Sequence, residues 1–193
     1  MSALTPQFEF VDRAGESIRY LEHGWPTDLC RWHSHPEYDL HLILETQGKV
    51  FVGDYIGEFV PGTLFLIGPN LPHNWITDEF GAYESVVTRD MLIQFSHDSI
   101  ISLQRAFPEF CEIDEFLQIS TGGLEFLKFD SFLATEHFIG IRESRGADRI
   151  LKFLNFLLLV KSHQDQKRLS VANISSFNFR GKKSNLAFVI DHI

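Results

Sequence analysis

Histidines and an acid, residue types that often bind metal ions or polar ligands, are concentrated in WHSHPEYDLH, residues 32–41. His33 and His35 are two residues apart, so both side chains lie on one face of an extended strand, as metal-binding pairs require. Asp39 and His41 continue this parity, and His73 follows a second strand that ends in a Gly-Pro-Asn turn. The spacing alone is a weak signal. If the strands close into a barrel, however, these side chains face one cavity.

The first half of the chain is predicted to supply the strands that position these residues. Short alternating segments, punctuated by glycine and proline, indicate a sandwich or small barrel. In DLHLILE, the even-numbered leucines are expected on one face of a strand, and Asp39, His41 and Ile43 on the other. Glu37 and Tyr38 are expected at an exposed turn before this strand. The predicted strand regions are 8–12, 17–23, 39–45, 48–70 and 84–96.

Beyond residue 96 the pattern becomes helical. The spacing of apolar residues predicts helices at 97–107 and 109–117, and a helical hairpin at 130–141 and 147–163. The last helix is apolar on nearly all sides, so it must be covered by the barrel, by its hairpin partner or by a second subunit. A core within one chain and a homodimer both remain open. For the homodimer, the predicted two-fold interface consists of Leu151, Leu154 and Leu158.

Charge and composition exclude several classes of function. The 193 residues carry a net charge of −9, and the part before residue 161 is especially acidic, which makes it a poor partner for nucleic acid. Cys30 and Cys111 show no disulfide spacing, and residues 1–10 show no export signal, so we expect a cytoplasmic protein. The longest apolar stretch, 150–160, is too short to cross a membrane.

The end of the chain has a different composition. Residues 164–184 are mostly polar and basic, which is typical of a linker. An apolar helical pattern restarts at 185–193 and stops, which we interpret as a helix cut short by truncation. The predicted organisation is a β-barrel at 1–97, a helical dimerisation segment at 98–163, and a linker with the start of another domain at 164–193.

The first histidine segment resembles the first motif of the cupin superfamily. That motif is His-x-His, three or four residues, Glu, six residues and Gly. Here His33, His35 and Asp39 match it, and Thr46 stands where glycine is expected. The resemblance implies a mainly β fold with appended helices, in which a cupin (double-stranded β-helix or jelly-roll) barrel precedes the helical hairpin.

The second segment resembles the second cupin motif, which is Gly, five residues, Pro-x-Gly, two residues and His. Gly62 and His73 match its ends, whereas Gly68 and Asn70 replace its proline and glycine. Carried over by position, the metal ligands of metal-containing cupins would be His33, His35, Asp39 and His73. Such a set suits Zn, Ni, Fe or Mn without choosing among them.

Two other readings of the histidines stay open. In the first, the carboxylate of Asp39 does not reach a metal ion, because aspartate is one methylene shorter than the usual glutamate. The histidines would then form hydrogen bonds with an organic effector. In the second, His33 and His35 only cap a strand at the mouth of the barrel and bind nothing.

More specifically, residues 32–75 are similar to the sensory domain of AraC-type transcriptional regulators. The GPNLPHNW turn (68–75) and the GLEF step (123–126) before the hairpin carry this likeness, which extends over most of 7–163. It implies a homodimer that binds a small-molecule effector in the cupin-like barrel. It also implies that 185–193 begins a helix-turn-helix domain, so DNA binding is expected only of the full-length protein.

The effector is expected to contact a set of polar and aromatic residues, namely Arg31, His33, His35, Asp39, His41, His73 and Trp75. A carboxylate ligand would use Arg31, whereas a sugar-like ligand would stack on Trp32 or Trp75. The alternatives are a metal-dependent cupin enzyme, an oxygenase or isomerase, and a structural dimerisation module with an empty barrel. The hairpin and basic linker favour a sensor over an enzyme, and a polar cavity is costly to keep empty.

Overall fold

The computed structural model describes residues 6–9, 15–27, 31–78 and 85–171. The predicted helix start at 185–193 and most of the predicted linker lie outside these ranges. The strands of the described part are β1 (Gln7–Phe8), β2 (Ile18–Trp25), β3 (His33–Ser34), β4 (Tyr38–Ile43), β5 (Gly48–Val52), β6 (Tyr55–Phe59), β7 (Leu64–Ile67), β8 (His73–Thr77), β9 (Val86–Phe95), β10 (Leu124–Phe126) and β11 (Gln166–Arg168). Its α-helices are α1 (His97–Ala106), α2 (Cys111–Ile119), α3 (Ser131–Glu143) and α4 (Gly146–Ser162).

The strands form two sheets. The first has the order β1-β3-β8-β5-β6 and the second the order β11-β10-β7-β4-β9-β2. Neighbouring strands are antiparallel, except that β1 and β3 are parallel. The predicted class, mainly β with helices after the strands, is therefore confirmed. Within the described ranges, however, no strand pairing joins the two sheets into a closed barrel.

Strand β4, in the middle of the second sheet, separates two hydrophobic layers. Leu40 and Leu42 pack in a cluster that includes Phe138 of α3, so they face the helices. Ile43 belongs to a different cluster with Val50 of β5, between the two sheets. Because side chains alternate along a strand, Asp39 and His41 face the same inter-sheet layer, and the predicted alternation of this segment is confirmed.

The helices pack against the outer face of the second sheet, and their ends follow from local chemistry. Ser96 caps α1, because its side-chain oxygen accepts a hydrogen bond of 3.2 Å from the backbone N–H of Ser99. Pro108, which cannot continue the hydrogen-bond ladder, lies just beyond the end of α1. Asp130 caps α3 by accepting from the N–H groups of Phe132 and Leu133. The predicted helix ranges agree with the structure to within two residues.

Helix α4 buries one face against the second sheet. The ring of Phe153 packs on that of Phe95 with their centroids 4.9 Å apart. Of the three residues predicted at a dimer interface, Leu154 is only 8% exposed and lies in the core, and Leu158 is half-buried. Leu151 is 61% exposed. The three leucines therefore differ sharply in how much surface they offer to a second subunit.

The segment that follows α4 returns to the sheet. Gln166–Arg168, which the sequence assigns to a linker, is instead the strand β11, paired antiparallel with β10. Leu169 and Ser170 after it are buried. The linker prediction is thus wrong for these residues, because a polar composition does not reveal backbone pairing to a neighbouring strand. None of the helices in the described ranges combines the length and apolarity that crossing a membrane requires.

Candidate functional site

Strand pairing in the first sheet brings the predicted histidines together. His33 of β3 and His73 of β8 lie directly opposite each other in the antiparallel register. Their ring centroids are 4.3 Å apart, and the ring of His35 lies 5.6 Å from His33 and 5.2 Å from His73. One ring nitrogen of each of the three lies within 4.8 Å of those of the other two. We call these three residues with Asp39 the histidine cluster.

Backbone carbonyl groups fix the tautomer of two of these imidazoles. Nδ1 of His33 lies 2.7 Å from the carbonyl oxygen of Arg31, and Nδ1 of His73 lies 2.8 Å from that of Leu71. Because a carbonyl only accepts, both Nδ1 atoms donate a proton, which leaves the lone pair on Nε2. Nε2 of His73 is buried and makes no hydrogen bond. Each ring therefore has a lone pair available for a metal or for a donor group of a ligand.

Asp39 supplies a carboxylate to the same cluster. Its Oδ2 atom lies 3.0 Å from Nε2 of His35 and 3.5 Å from Nε2 of His73. Burial by itself would lower the pKa of His35, but the carboxylate of Asp39, with Glu9 and Glu37, outweighs it and raises this pKa to about 9. Burial would raise the pKa of Asp39, but His35 and His73 hold it well below its ordinary value. His35 and Asp39 thus form a buried ion pair.

The other two imidazoles are neutral. Burial lowers the pKa of His33 to about 3, because a proton on His33 would be placed in a poorly solvated site beside two other imidazoles. Burial also lowers the pKa of His73. Near pH 7 the cluster therefore contains one charged and two neutral imidazoles beside a carboxylate, and its net charge is close to zero.

A second buried network lies on β9, within the second sheet. Asp90 is fully buried, and its Oδ2 atom accepts a hydrogen bond of 2.6 Å from Nε of Arg89. Its Oδ1 atom lies 3.0 Å from Nδ1 of His23. Although burial alone would raise the pKa of Asp90, His41, His23 and Arg89 lower it far below its ordinary range. The sequence did not predict this network. The available signal was the pair of adjacent charges inside the apolar strand VVTRDMLIQF.

His41 and Trp75 connect the two networks. Their rings pack with the centroids 4.1 Å apart, and the ring of Trp75 lies 5.3 Å from that of His73. Both ring nitrogens of His41 and the indole nitrogen of Trp75 are buried without a hydrogen bond, although Nε2 of His41 lies 3.4 Å from Asp90. Buried polar atoms of this kind cost free energy unless a ligand or water satisfies them.

These side chains line a cavity between the two sheets. It has a volume of about 40 Å³, which corresponds to roughly three water molecules. Its walls come from both sheets and from the N-terminal segment, namely Glu9, Leu21, His23, Thr27, His33, Asp39, His41, His73, Asn74, Trp75, Arg89, Leu92 and Gln94. Five of the seven predicted ligand contacts, His33, Asp39, His41, His73 and Trp75, therefore face one space.

The other predicted contacts lie elsewhere. The side chain of His35 is buried in the cluster behind the cavity wall, and Arg31 is exposed and reaches the site only through its carbonyl group. Trp32 is buried outside the cavity lining. The expectation that Glu37 and Tyr38 are exposed is wrong, since both are buried. Tyr38 faces the helices, where its hydroxyl lies 3.2 Å from Nδ1 of His97, and Glu37 lies beside His35.

Comparison with known protein families agrees with this arrangement. A sequence model described as the AraC-like ligand binding domain matches residues 17–135, well over half of the chain. The chain belongs to this family. The matched range contains β2 to β10 and all four members of the histidine cluster. The chain is thus a sensing domain of the AraC type, as its sequence predicts, and the cavity lies where the two sheets of this domain meet.

Solved structures with a similar chain path include two of ToxT from Vibrio cholerae. ToxT from strain O395 bound to (E)-4-(8-methylnaphthalen-1-yl)but-3-enoic acid is 15% identical, with a TM-score of 0.43, over 75% of this chain and 55% of that one. A second ToxT structure is 13% identical, with a TM-score of 0.42, over 82% and 60%. The AraC-like domain therefore spans little more than half the length of these proteins. None of the curated proteins compared with it matches.

Proposed function

We propose that this AraC-like domain is the effector-sensing and dimerisation part of a cytoplasmic transcription regulator, and that it binds a small molecule in the inter-sheet cavity. The carrying observation is the set of imidazole and indole groups that face the cavity from both sheets, namely the half-buried His33 and the buried His73, Trp75 and His41, of which the last three keep ring nitrogens without a hydrogen bond. Such groups bind a polar ligand without first losing contact with bulk water, since they are already buried.

A divalent metal ion fits the histidine cluster. His33 and His73 keep Nε2 unprotonated, and the unpaired Nε2 of His73 and Oδ1 of Asp39 are buried. Imidazole nitrogens bound to one Zn²⁺ ion at 2.0–2.1 Å lie at most about 4.2 Å from one another. The ring nitrogens of the three histidines lie within 4.8 Å of one another, so the rings need to approach slightly to bind the ion. His33, Asp39 and His73, with His35 once it has released its extra proton to solvent, would hold Zn, Ni, Fe or Mn, which would act as a Lewis acid toward an oxygen atom of the effector.

The charge of the effector depends on whether metal is bound. Without metal, the positively charged groups at the site already pair with carboxylates of the chain, because Arg89 is bonded to Asp90 and His35 to Asp39. Arg31, the cation expected to bind a carboxylate, is exposed. An uncharged, hydroxyl-bearing ligand then fits best, since a carboxylate would lose its hydration for no new ion pair. A bound metal ion adds positive charge and favours a carboxylate instead.

Dimerisation is proposed through the exposed part of α4. Leu151 is 61% exposed, and Ile150 and Leu158 beside it are only partly buried. An isologous contact would bring this face of α4 against the same face of a second copy. A large apolar side chain on an otherwise packed helix is the observation that supports this contact.

The alternative function is that of a metal-dependent cupin enzyme, an oxygenase or isomerase. One observation favours it: three imidazoles and a carboxylate leave coordination positions open, as a catalytic metal site requires. Membership of a ligand-binding family favours sensing instead. Turnover of a bound ligand by the metal-loaded domain would establish the alternative.

Metal content measured by plasma mass spectrometry tests the metal site directly. We expect close to one metal ion per chain in the wild type and almost none in His35→Ala. His137→Ala is the matched control, because His137 is a half-buried histidine on α3 that stacks on Phe156, away from the cluster. Metal-free wild-type protein would exclude the metal site.

Thermal shifts then separate the two ligand classes. Glycerol and acetate are small matched probes, one uncharged and hydroxylated and the other a carboxylate. Metal-free protein is expected to be stabilised by the uncharged probe, and metal-loaded protein by the carboxylate. Equal shifts in His41→Ala and in the wild type would show that the cavity is not the binding site.

A further inference from the structure

The segment after α4 is held firmly on the domain by a set of specific bonds. We call Gln166–Val171 the strap. The N–H groups of Leu169 and Ser170 donate to the carbonyl oxygens of Gly123 and Gly122 at 3.0 and 2.8 Å. The Ser170 hydroxyl donates to the carboxylate of Asp54 at 2.6 Å. The strap therefore bridges β10 and the turn between β5 and β6.

The side chain of Leu169 packs beside Leu71. Both are buried in the small inter-sheet cluster that also contains Trp75 of the cavity wall. A Cβ atom placed on Gly123 would lie 3.4 Å from Cδ2 of Leu71 and 3.6 Å from Cδ1 of Leu169, so the two leucines converge on one point. A displacement of Leu71 therefore changes the surface on which the strap rests.

Leu71 is bonded to the histidine cluster as well. Its carbonyl oxygen accepts the Nδ1–H of His73 at 2.8 Å, and the N–H of Asn70 beside it donates to the carbonyl oxygen of His35 at 2.7 Å. The turn at 68–73 thus has the cluster on one side and the strap on the other. The bond between the His73 ring and the Leu71 carbonyl group therefore joins the cluster to the backbone of this turn.

We infer that the strap and the histidine cluster are coupled through the 68–73 turn, so that occupation of the cluster holds the strap in place. This inference rests on the proposed function, in that the histidine cluster is the ligand site. A ligand on Nε2 of His73 fixes the ring and preserves the bond from Nδ1–H to Leu71. If the ligand makes release of the strap less favourable by a given factor, complete release of the strap must weaken the affinity for the ligand by the same factor.

Hydrogen exchange of the Leu169 and Ser170 amides tests the coupling without any ligand. His73→Ala removes the bond to the Leu71 carbonyl, whereas the matched variant His33→Ala removes an equivalent bond to the Arg31 carbonyl, which makes no hydrogen bond to the strap within the described ranges. With amides of the β4–β9 pair as the measure of global opening, we expect His73→Ala to speed strap exchange about fivefold or more. In His33→Ala the strap rate should stay within about twofold of the wild type. Equal effects of the two variants would overturn the inference.

The reverse direction uses variants of the strap. Leu169→Ala removes the strap side chain that packs in the same cluster as Leu71, and Val171→Ala, at an 82% exposed position, is its control. The Nδ1–H proton of His73, followed by NMR, is expected to exchange with water faster in Leu169→Ala than in Val171→Ala. Indistinguishable rates would also overturn the inference.

Zn²⁺ separates this inference from the proposed function. If Zn²⁺ binds, it is expected to slow strap exchange in the wild type, and Leu169→Ala is expected to weaken Zn²⁺ binding by no more than that factor. Strap exchange that Zn²⁺ leaves unchanged overturns the coupling. If the wild-type chain binds no Zn²⁺, the metal site is refuted. In that case the two histidine variants still decide whether the strap is coupled to the cluster.

Discussion

Two leucines of α4 allow the proposed dimer to be tested without confusing dissociation with unfolding. Leu151 and Leu154 are three residues apart and were both predicted at the interface, but Leu151 is 61% exposed and Leu154 only 8%. Leu151→Glu changes a side chain that contributes little to the folded monomer. Leu154→Glu places a charge among the apolar residues of the core. We expect the first variant to be a folded monomer and the second to unfold.

The expected size of each effect follows from burial. Complete burial of a leucine contributes about 1.5–3 kcal/mol, so covering the exposed part of Leu151 contributes about 1–2 kcal/mol per subunit. Two symmetric subunits give about 2–4 kcal/mol, or roughly 30- to 700-fold in the dissociation constant. In Leu154→Glu the whole burial term is lost and a buried carboxylate is added, which together approach the total stability of a small domain, about 5–15 kcal/mol.

Sedimentation velocity over a range of concentrations, combined with thermal melting by circular dichroism, distinguishes these outcomes. Val87→Glu is the control, because Val87 is 93% exposed and lies at the other end of β9 from Phe95, the residue that packs on α4. Leu151→Glu that still sediments as a dimer with the wild-type constant would refute the α4 interface. Leu154→Glu that melts like the wild type would refute the assignment of Leu154 to the core.

The remaining predictions concern stability. Asp90→Asn removes the buried carboxylate that is bonded to Arg89 and His23 and is expected to cost about 3–5 kcal/mol in urea unfolding. A variant that loses less than about 1 kcal/mol would show that the pair is not needed. The folded-state pKa of Asp90 is lowered, so its contribution is present above the unfolded pKa of about 4 and is lost as pH falls further. The acid sensitivity of the wild type should therefore be weaker in the variant. Asn70 has φ of +58°, so Asn70→Ala should cost about 1 kcal/mol and Asn70→Gly almost nothing, and equal losses in the two variants would contradict this.

The parts of the site that depend on strand parity could be predicted from the sequence. Asp39 and His41 lie on one face of β4, and the structure brings both to the cavity wall. His33 has the same parity but lies on β3 in the other sheet, so parity does not account for its place in the cavity. Parity alone does not place a residue on another strand. The opposition of His33 and His73 came only from the resemblance to a known motif, since register depends on tertiary pairing.

At two positions this sequence has another residue where the cupin motifs that it resembles have glycine, and at both the backbone has a conformation that favours glycine. Thr46 and Asn70 have φ values of +66° and +58°, so both retain the left-handed conformation that glycine adopts easily. Asparagine tolerates this region well, whereas a β-branched threonine does so rarely. The side chain of Thr46 bonds to the hydroxyl of Thr77 at 3.1 Å. That bond depends on a distant strand, and the sequence did not reveal it.

Long-range polar contacts were the least predictable part of the structure. The Arg89–Asp90 pair is local in sequence, but its partners His23 and His41 come from two other strands. The strap could not be predicted either, because Lys167 and Arg168 are typical of a linker in composition, and only their pairing with β10 makes them part of a strand. Burial of charged groups is favourable only with their partners in place, and composition alone does not supply the partners.

The small volume of the inter-sheet cavity has a consequence for the kinetics of signalling. If the effector binds in this cavity as proposed, a ligand of more than a few atoms would have to widen its volume of about 40 Å³ on entry. Its entry rate is then limited by the frequency of that widening and not by diffusion. The same barrier slows the ligand's escape, so each binding event lasts longer than the affinity alone would imply. A sensor built in this way averages over brief fluctuations in effector concentration and responds to sustained ones.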